Sequence, residues 1–458
     1  MKLIYGIKDR PKFGQVIVFA IQQLLAIMAA TLVVPVIIST SDNIPPELLP
    51  EMSSAAALLG AGIGTLVYQL FTRFKSPVFL GSSFAFIGPM CAAFAGAASV
   101  QAGFLGLIIG AAMAGLVYVI IAIIVKFAGV KWISKLMPAV VIGPTVAIIG
   151  LSLAGNAIGD LQKAPAGGSV YVAIICGLVT LAVTMLCATF GKKMIRLIPF
   201  IIGILAGYAV AAIFTVIGIV ADIPALLVIN FDPITSLFAP FTFESIFSVP
   251  DLTFMQAIKG VTEINAEYIF TLFVAYVPVA AVVFAEHLAD HKNLSTIIEH
   301  DLLEEPGLHN TLLGDGVGSI AGAIFGGCPN TTYGESVGCV AITGNASVIT
   351  ITVTAFMAIA ISFLSPFVAF VNTIPSCVMG GVCMALYGFI AVSGLKMIQK
   401  VDLEKNRNLF VVSVILISGI GGLSVTFGKV TLTTIACALI LGILTNLMLG
   451  IKDKKEEK

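Results

Sequence analysis

The strongest constraint on this chain is the recurrence of apolar runs long enough to cross a membrane. Runs such as 104–125 and 429–451 approach or exceed the roughly 20 residues that a helix needs to span a hydrocarbon core. Charged residues make up 10% of the 458 residues, far below the level of about a quarter in soluble proteins. The composition predicts an all-α, polytopic integral membrane protein with no large soluble domain. The net charge of zero gives no basic surface for nucleic acid.

Fourteen crossings are predicted from the apolar runs between polar or Gly/Pro-rich breaks. With a cytoplasmic N-terminus, 21 of the 24 basic residues fall in inward-facing segments, and only Lys163, Lys259 and Lys429 do not. The positive-inside rule predicts such a bias for fourteen crossings with both termini cytoplasmic. The predicted crossings lie near 15–40, 54–72, 78–97, 101–126, 137–156, 168–189, 195–220, 264–287, 311–327, 333–346, 348–371, 376–396, 408–425 and 430–450.

The two halves of the chain share short patterns in the same order. The matches are "LLGAGIGT" (58–65) with "LLGDGVGS" (312–319), "SSFAF" (82–86) with "TTYGE" (331–335), and "PAVVIG" (138–143) with "PSCVMG" (375–380). Seven crossings per half is an odd number, so the second copy enters the membrane from the opposite side. We therefore predict an inverted repeat with two interrupted helices whose short extended segments meet near the midplane.

The interrupted segments, near 81–86 and 328–340, predict a binding cavity. Each has a Gly or Pro, two hydroxyl residues, an aromatic residue and then a helix start, whose free N–H groups can face a ligand. Three acids lie at this depth or near it: Glu335, Glu286 and Asp290. A buried ionisable group in a membrane is costly enough to indicate function. The alternative is a structural hydrogen bond to a neighbouring helix, and Asp315 could equally be a packing carboxylate bonded to Ser or Thr.

Carboxylate acceptors beside backbone donors suit a flat, neutral solute with alternating N–H and C=O groups, such as a nucleobase. Phe84 and Tyr333 are candidates to stack on such a ring, although ordinary packing is an alternative for Tyr333. The chain has no phosphate-binding loop, so uphill transport requires an ion gradient. Because an apolar cavity disfavours charge, a carboxylate there is a candidate proton carrier.

All four histidines fall within 287–309, and His287 and His291 have the i,i+4 spacing of a helical metal pair. No Cys lies nearby, and the segment is predicted to leave the membrane on the cytoplasmic side. We therefore expect a solvated helix end and loop rather than a metal site.

Several long motifs resemble the nucleobase:cation symporter-2 family, specifically its bacterial uracil permease branch, over essentially the whole chain. They are "QQLLAIMAATLVVP" (22–35), "LGSSFAFIGP" (80–89), "FAEHLADHKNL" (284–294), "EPGLHNTLLGDGVGS" (305–319) and "CPNTTYGESVG" (328–338). The resemblance implies a seven-plus-seven inverted repeat in the cytoplasmic membrane of a bacterium, with crossings 1–4 and 8–11 in a core domain and the others in a gate domain. The corresponding boundaries are 1–132 and 263–372 for the core, 133–222 and 373–458 for the gate and cytoplasmic tail, and 223–262 for an extracellular connection.

The resemblance also implies roles for particular residues. Glu286 and Glu335 match two glutamates that bind the ring N–H groups of uracil, and the backbone amides of Phe84 and Gly334 match a pair that faces its carbonyl oxygens. Tyr387 matches a tyrosine at the contact between core and gate. Proton symport, with Glu286 or Asp290 as the coupling group, and a homodimer that associates through the gate domains are further implications. Apart from the coupling proton, the resemblance implies no cofactor.

At two positions this sequence departs from the family pattern, which limits how far the family's residue roles apply to it. Asp290 stands where some uracil carriers have histidine, and Ser336 follows the glutamate where asparagine is usual. Glu335 stands where xanthine and urate carriers typically have glutamine, which favours uracil.

The sequence therefore predicts a uracil:proton symporter and not an enzyme. The alternatives are a purine symporter of the same fold and a carrier of bicarbonate or sulfate. An anion carrier would need a basic residue among the interrupted helices, and none of the 24 basic residues maps there.

Overall fold

The computed structural model describes residues 3–129, 138–192, 194–427 and 430–456, and their fold is mostly helical. The first half contains α1 (Phe13–Ser39), α2 (Ser54–Phe71), β1 (Leu80–Ser82), α3 (Ile87–Ala95), α4 (Val100–Ala128), α5 (Ala139–Ser152), α6 (Ala154–Gln162), α7 (Val170–Phe190), α8 (Met194–Leu197) and α9 (Pro199–Val220). A connection with α10 (Asp232–Leu237) and α11 (Thr253–Ala257) follows. The second half contains α12 (Ala266–Ile298), α13 (Leu308–Gly326), β2 (Asn330–Thr332), α14 (Gly334–Thr343), α15 (Val348–Ser362), α16 (Ser365–Asn372), α17 (Ser376–Ile398), α18 (Asn406–Ile420), β3 (Val425–Phe427), β4 (Val430–Leu432) and α19 (Thr434–Glu456).

The prediction of a polytopic helical membrane protein is confirmed. Within the described residues, 8 helical segments are long and apolar enough to cross a membrane, and shorter apolar helices occupy most of the other predicted crossings. This arrangement is consistent with fourteen segments. The predicted bounds of the last two crossings were wrong, because α18 ends at Ile420 and the antiparallel strands β3 and β4 lie between it and α19. Lys429, on which part of the charge count depends, lies outside the described residues.

Local sequence signals explain where the long helices begin and end. The side chain of Ser99 accepts a hydrogen bond from the Ala102 amide at the start of α4, and Asn265 does the same for Tyr268 at the start of α12. Helix α4 ends at Ala128 and is followed by Gly129, whose φ of 71° belongs to the left-handed region that glycine tolerates. Capping residues therefore set these helix ends within otherwise continuous apolar runs.

Helices that match between the two halves pack against each other. Helix α2 packs on α13, α5 packs on α17, and β1 pairs with β2. These are the three pairs that the sequence matches identify. A two-fold axis that relates two halves of a chain brings matched elements together in this way, so the packing is consistent with the predicted inverted repeat.

Glycines allow α2 and α13 to approach closely. A Cβ atom on Gly60 would lie 2.6 Å from the Gly322 carbonyl oxygen and 2.9 Å from the Gly326 Cα atom. No side chain fits in that space, so small residues permit the helix contact. The strands β1 and β2 of the interrupted segments pack against these two helices.

Candidate functional site

The two interrupted segments pair with each other. Strands β1 and β2 are antiparallel, with Leu80 opposite Thr332, Gly81 opposite Thr331 and Ser82 opposite Asn330. Extended backbone inside a membrane must satisfy its polar groups internally. The pairing of the two segments meets this requirement, and it brings the ends of both strands close together.

A helical segment follows each strand, with one residue between them. A 3₁₀ turn at Phe84–Phe86 leads into α3, and α14 begins at Gly334. In the described structure, neither start has a side-chain cap. The first N–H groups of a helix have no intrahelical acceptor, and the helix dipole makes this end positive. The helix starts at Phe84 and Gly334 therefore place two sets of backbone donors beside the paired strands.

Tyr333 fastens the two interrupted segments together. Its hydroxyl donates a hydrogen bond to the Ser82 carbonyl oxygen at 2.7 Å, and a Cβ atom on Gly81 would lie 2.3 Å from its ring. The side chain is only 4% exposed. Tyr333 therefore has the packing role that the sequence left open as an alternative, although it also lines the cavity described next.

A cavity of about 390 Å³ opens beside these helix starts, a volume typical of small-molecule sites. Glu286 and Asp290 reach it from successive turns of α12, and Glu335 reaches it from the first turn of α14. The three acidic side chains are partly buried. The Thr332 hydroxyl donates a hydrogen bond to Asp290 Oδ2 at 2.9 Å. The structure thus brings together the predicted acids, Phe84, Tyr333 and Gly334 on one cavity.

The opposite wall is mostly apolar and comes from elements of the predicted gate domain. It includes Val146 and Ile149 of α5, Phe200 of α9, and Leu386 and Phe389 of α17. The acidic wall and this apolar wall belong to different predicted domains, so the cavity lies between them.

Tyr387 lies behind this wall and does not line the cavity. It is 2% exposed, and its ring centroid is 6.1 Å from that of Phe84 in an edge-to-face arrangement. The two rings are therefore in contact, and the role of Tyr387 at the boundary between core and gate stays a prediction.

Arg196 lines the cavity, which the sequence did not predict. It lies on the short helix α8, outside the interrupted helices, and it is exposed. The charge pattern placed it in an inward-facing segment between two crossings. The only available signal was its position three residues before the proline that begins α9, and that signal does not indicate which cavity it faces.

The prediction of a solvated helix end was wrong for His287 and His291, because both side chains are fully buried. His287 Nδ1 lies 2.7 Å from Asp315 Oδ2, so Asp315 pairs with a histidine rather than with Ser or Thr. His291 Nε2 lies 2.7 Å from the Tyr68 hydroxyl. The two histidines occupy a face of α12 different from that of Glu286, and they join α12 to α13 and α2.

Ser336 receives a structural explanation that the sequence did not provide. The Gln23 side-chain amide donates a hydrogen bond to Ser336 Oγ at 2.5 Å, and the Phe79 amide donates another at 3.2 Å. Ser336 is fully buried. It therefore ties the first turn of α14, which carries Glu335, to α1 and to the segment before β1.

Comparison with known proteins identifies relatives over the full chain. A family model described as "Permease family" matches residues 14–428. The chain is 36% identical to the uracil permease of Bacillus caldolyticus over 459 residues, covering 100% of this chain and 97% of that protein. It is 35% identical to the uracil permease of Escherichia coli strain K12 over 442 residues, covering 96% and 92%.

Solved structures share the fold at low sequence identity. The transmembrane domain of the cyanobacterial bicarbonate transporter BicA matches with a TM-score of 0.58 at 13% identity, covering 96% of this chain and 98% of that chain. The murine anion transporter Slc26a9 in its inward-facing state matches with a TM-score of 0.61 at 11% identity, covering 97% and 69%. At these identities the likeness shows the fold alone.

Proposed function

The chain belongs to the nucleobase:cation symporter-2 family of permeases, and from this premise we propose that it imports uracil across the cytoplasmic membrane by proton symport. One observation carries the proposal: Glu286, Glu335 and the helix starts at Phe84 and Gly334 line the same cavity. Its relatives named uracil permeases support uracil as the solute.

The arrangement of donors and acceptors matches the hydrogen-bonding groups of uracil. Uracil has two ring N–H groups and two carbonyl oxygens. Glu286 and Glu335 supply carboxylate acceptors for the N–H groups, and the backbone amides of Phe84 and Gly334 supply donors for the oxygens. A hydrogen bond to an ionised carboxylate is roughly twice as strong as one between neutral groups. An ionised glutamate therefore contributes more to the affinity than a backbone amide does.

The three carboxylates give the proposed coupling a physical basis. Glu286, Asp290 and Glu335 face one cavity with a largely apolar opposite wall, so like charges lie close together in a poorly solvated space. A proton bound to Glu286 or Asp290 reduces the charge that the cavity must hold. Proton binding thereby lowers the electrostatic cost of enclosing uracil, and this couples the transport of uracil to that of the proton.

Alternating access would use the boundary at which the cavity lies. We assign 1–132 and 263–372 to the core domain, and 133–222 and 373–458 to the gate domain. The core carries the acids and the gate carries the apolar wall, so a movement of the core past the gate would transfer the cavity from one side of the membrane to the other. The protein would function as a homodimer joined through gate domains.

An anion carrier is the second candidate, and Arg196 is the observation that favours it, because a guanidinium group binds anions well. Three carboxylates line the same cavity and oppose an anion. Uracil is therefore the preferred solute.

The test is equilibrium binding of [³H]uracil to the purified protein, with unlabelled xanthine, urate, adenine and bicarbonate as competitors. We expect saturable binding that unlabelled uracil displaces and the four competitors do not. Arg196→Gln should leave this binding intact. Displacement led by xanthine or urate would favour a purine symporter, and displacement by bicarbonate that Arg196→Gln abolishes would favour an anion carrier.

Coupling is tested separately in proteoliposomes. An inward proton gradient should drive uracil accumulation, and uracil should drive proton entry when no gradient is applied. Uracil uptake that is insensitive to the proton gradient would contradict symport without affecting the assignment of the solute.

A further inference from the structure

A second, much smaller cavity lies behind strand β2. Its volume is about 10 Å³, close to the smallest space that holds one water molecule. Tyr118 of α4, Asp315 of α13 and Asn330 and Thr331 of β2 line it. Thr331 also lines the large cavity, so one strand residue separates the two spaces.

Three buried polar atoms belong to side chains that line this small cavity. They are the Tyr118 hydroxyl, Asp315 Oδ1 and Asn330 Oδ1, and none of them has a hydrogen-bond partner among the described residues. A buried polar atom without a partner costs about 1–3 kcal/mol. Because all three side chains line one small cavity, their unpartnered atoms call for one common explanation rather than three separate ones.

The side chains of Asp315 and Asn330 are held in place by other contacts. Asp315 Oδ2 lies 2.7 Å from His287 Nδ1, and Asn330 Nδ2 donates a hydrogen bond to the Gly60 carbonyl oxygen at 2.9 Å. A Cβ atom on Gly322 would lie 2.3 Å from Asn330 Nδ2, so there is little room for the amide to move. Asp315 and Asn330 therefore cannot turn away to find other partners without breaking these contacts.

We infer that the small cavity is a binding site for one ordered water molecule. A water molecule has two hydrogens to donate and a lone pair to accept with. It would donate to Asp315 Oδ1 and Asn330 Oδ1 and accept from the Tyr118 hydroxyl, which satisfies all three atoms. Buried waters typically make about three hydrogen bonds to such groups. A hard cation takes six or more oxygen ligands, which these three atoms do not supply.

This water joins three elements behind the large cavity: α4 through Tyr118, α13 through Asp315 and β2 through Asn330. Only Tyr333 separates strand β2 from Gly334 and Glu335, so fixing β2 fixes the start of α14. Tyr118 is thus a positioning residue for the uracil site, a consequence that rests on the proposed function.

The first test is a high-resolution structure of the full chain, determined without uracil. We expect a solvent peak at hydrogen-bonding distance, about 2.6–3.2 Å, from all three atoms. Absence of the peak overturns the inference.

The melting temperature, measured in sodium chloride and in choline chloride, should be the same. Stabilisation by sodium that Asp315→Asn abolishes would show a cation site instead and would also overturn it.

The second test compares Tyr118→Phe with the matched control Tyr276→Phe. The Tyr276 hydroxyl is also buried without a partner among the described residues, but Tyr276 does not line the small cavity. We expect Tyr118→Phe to raise the uracil Kd about fivefold, the equivalent of one hydrogen bond, and to leave the number of binding sites per protein unchanged. The control should change neither.

Equal Kd values for both variants overturn the positioning role, and fewer sites with an unchanged Kd would indicate a purely structural role. Because the solvent peak and the melting temperature need no uracil, a failed proposed function is distinguishable from a failed water site.

Discussion

Replacing Glu335 by Gln should weaken uracil binding about 5- to 30-fold. The change keeps the size of the side chain and its position in the first turn of α14, but it removes the negative charge. A hydrogen bond to a charged group contributes about 1.5–3 kcal/mol, and one between neutral groups contributes about 0.5–1.5 kcal/mol. The glutamine oxygen can still accept a neutral hydrogen bond, so the net loss is about 1–2 kcal/mol. A factor of ten in Kd corresponds to about 1.4 kcal/mol.

The assay is equilibrium binding of [³H]uracil to purified protein, with the melting temperature measured in parallel. The matched control is Glu51→Gln, because Glu51 is exposed and lies outside both cavities. Glu335→Ala, which removes the acceptor altogether, should weaken binding more than Glu335→Gln. If Glu335→Gln has a wild-type Kd and an unchanged melting temperature, Glu335 does not bind uracil and the reasoning is refuted.

Three further predictions concern stability. Ser336→Ala removes the acceptor of two hydrogen bonds and leaves their donors unpaired in the core, so it should lower the unfolding free energy by about 1–3 kcal/mol; an unchanged denaturation midpoint would contradict this. Gly64→Ala places a methyl group 2.4 Å from Asn330 Nδ2 and should lower the melting temperature, whereas Gly14→Ala, whose new methyl group meets no atom within 4 Å, should not show this clash. Lys75 lies 2.7 Å from Glu305 and holds the pKa of that exposed carboxylate below its ordinary value. The pair therefore stabilises the fold above the unfolded pKa of Glu305 and loses this effect as the pH falls through the folded pKa. Lys75→Gln should slightly lower the melting temperature at neutral pH and leave it unchanged at acidic pH, and the same loss at both pH values would show that the ion pair is not the cause.

Much of the helical architecture was predictable because its signals are local. Helix α12 begins at an asparagine cap, and α4 begins at a serine cap, each followed by a long apolar run. The interrupted segments were also predictable, since Gly or Pro with paired hydroxyl residues disfavours a continuous helix. The antiparallel strands β3 and β4 were missed because the segments on either side of them are as apolar as a crossing.

The candidate site was predictable in part. The unusual acids Glu286, Asp290 and Glu335 were evident from the sequence because charge is rare in apolar segments, and the structure places all three on one cavity. Arg196 was missed because its segment is distant in the sequence from the acidic residues of the site and from the interrupted segments. The hydrogen bond from Gln23 to Ser336 was also missed, since it joins side chains 313 residues apart.

The sequence by itself determined which segments are apolar, where many of them begin and end, and which carry charge. It did not determine which face of each helix is buried in the protein. Helices α1 and α7 have similar mean hydropathies of 2.3 and 2.5 over their most apolar windows, yet 67% and 33% of those windows are buried inside the protein. In water, an apolar face identifies the core, but in a membrane both the lipid-facing and the core-facing sides are apolar. For this reason only the tertiary packing decided that His287 and His291 are buried and that Tyr387 lies against Phe84.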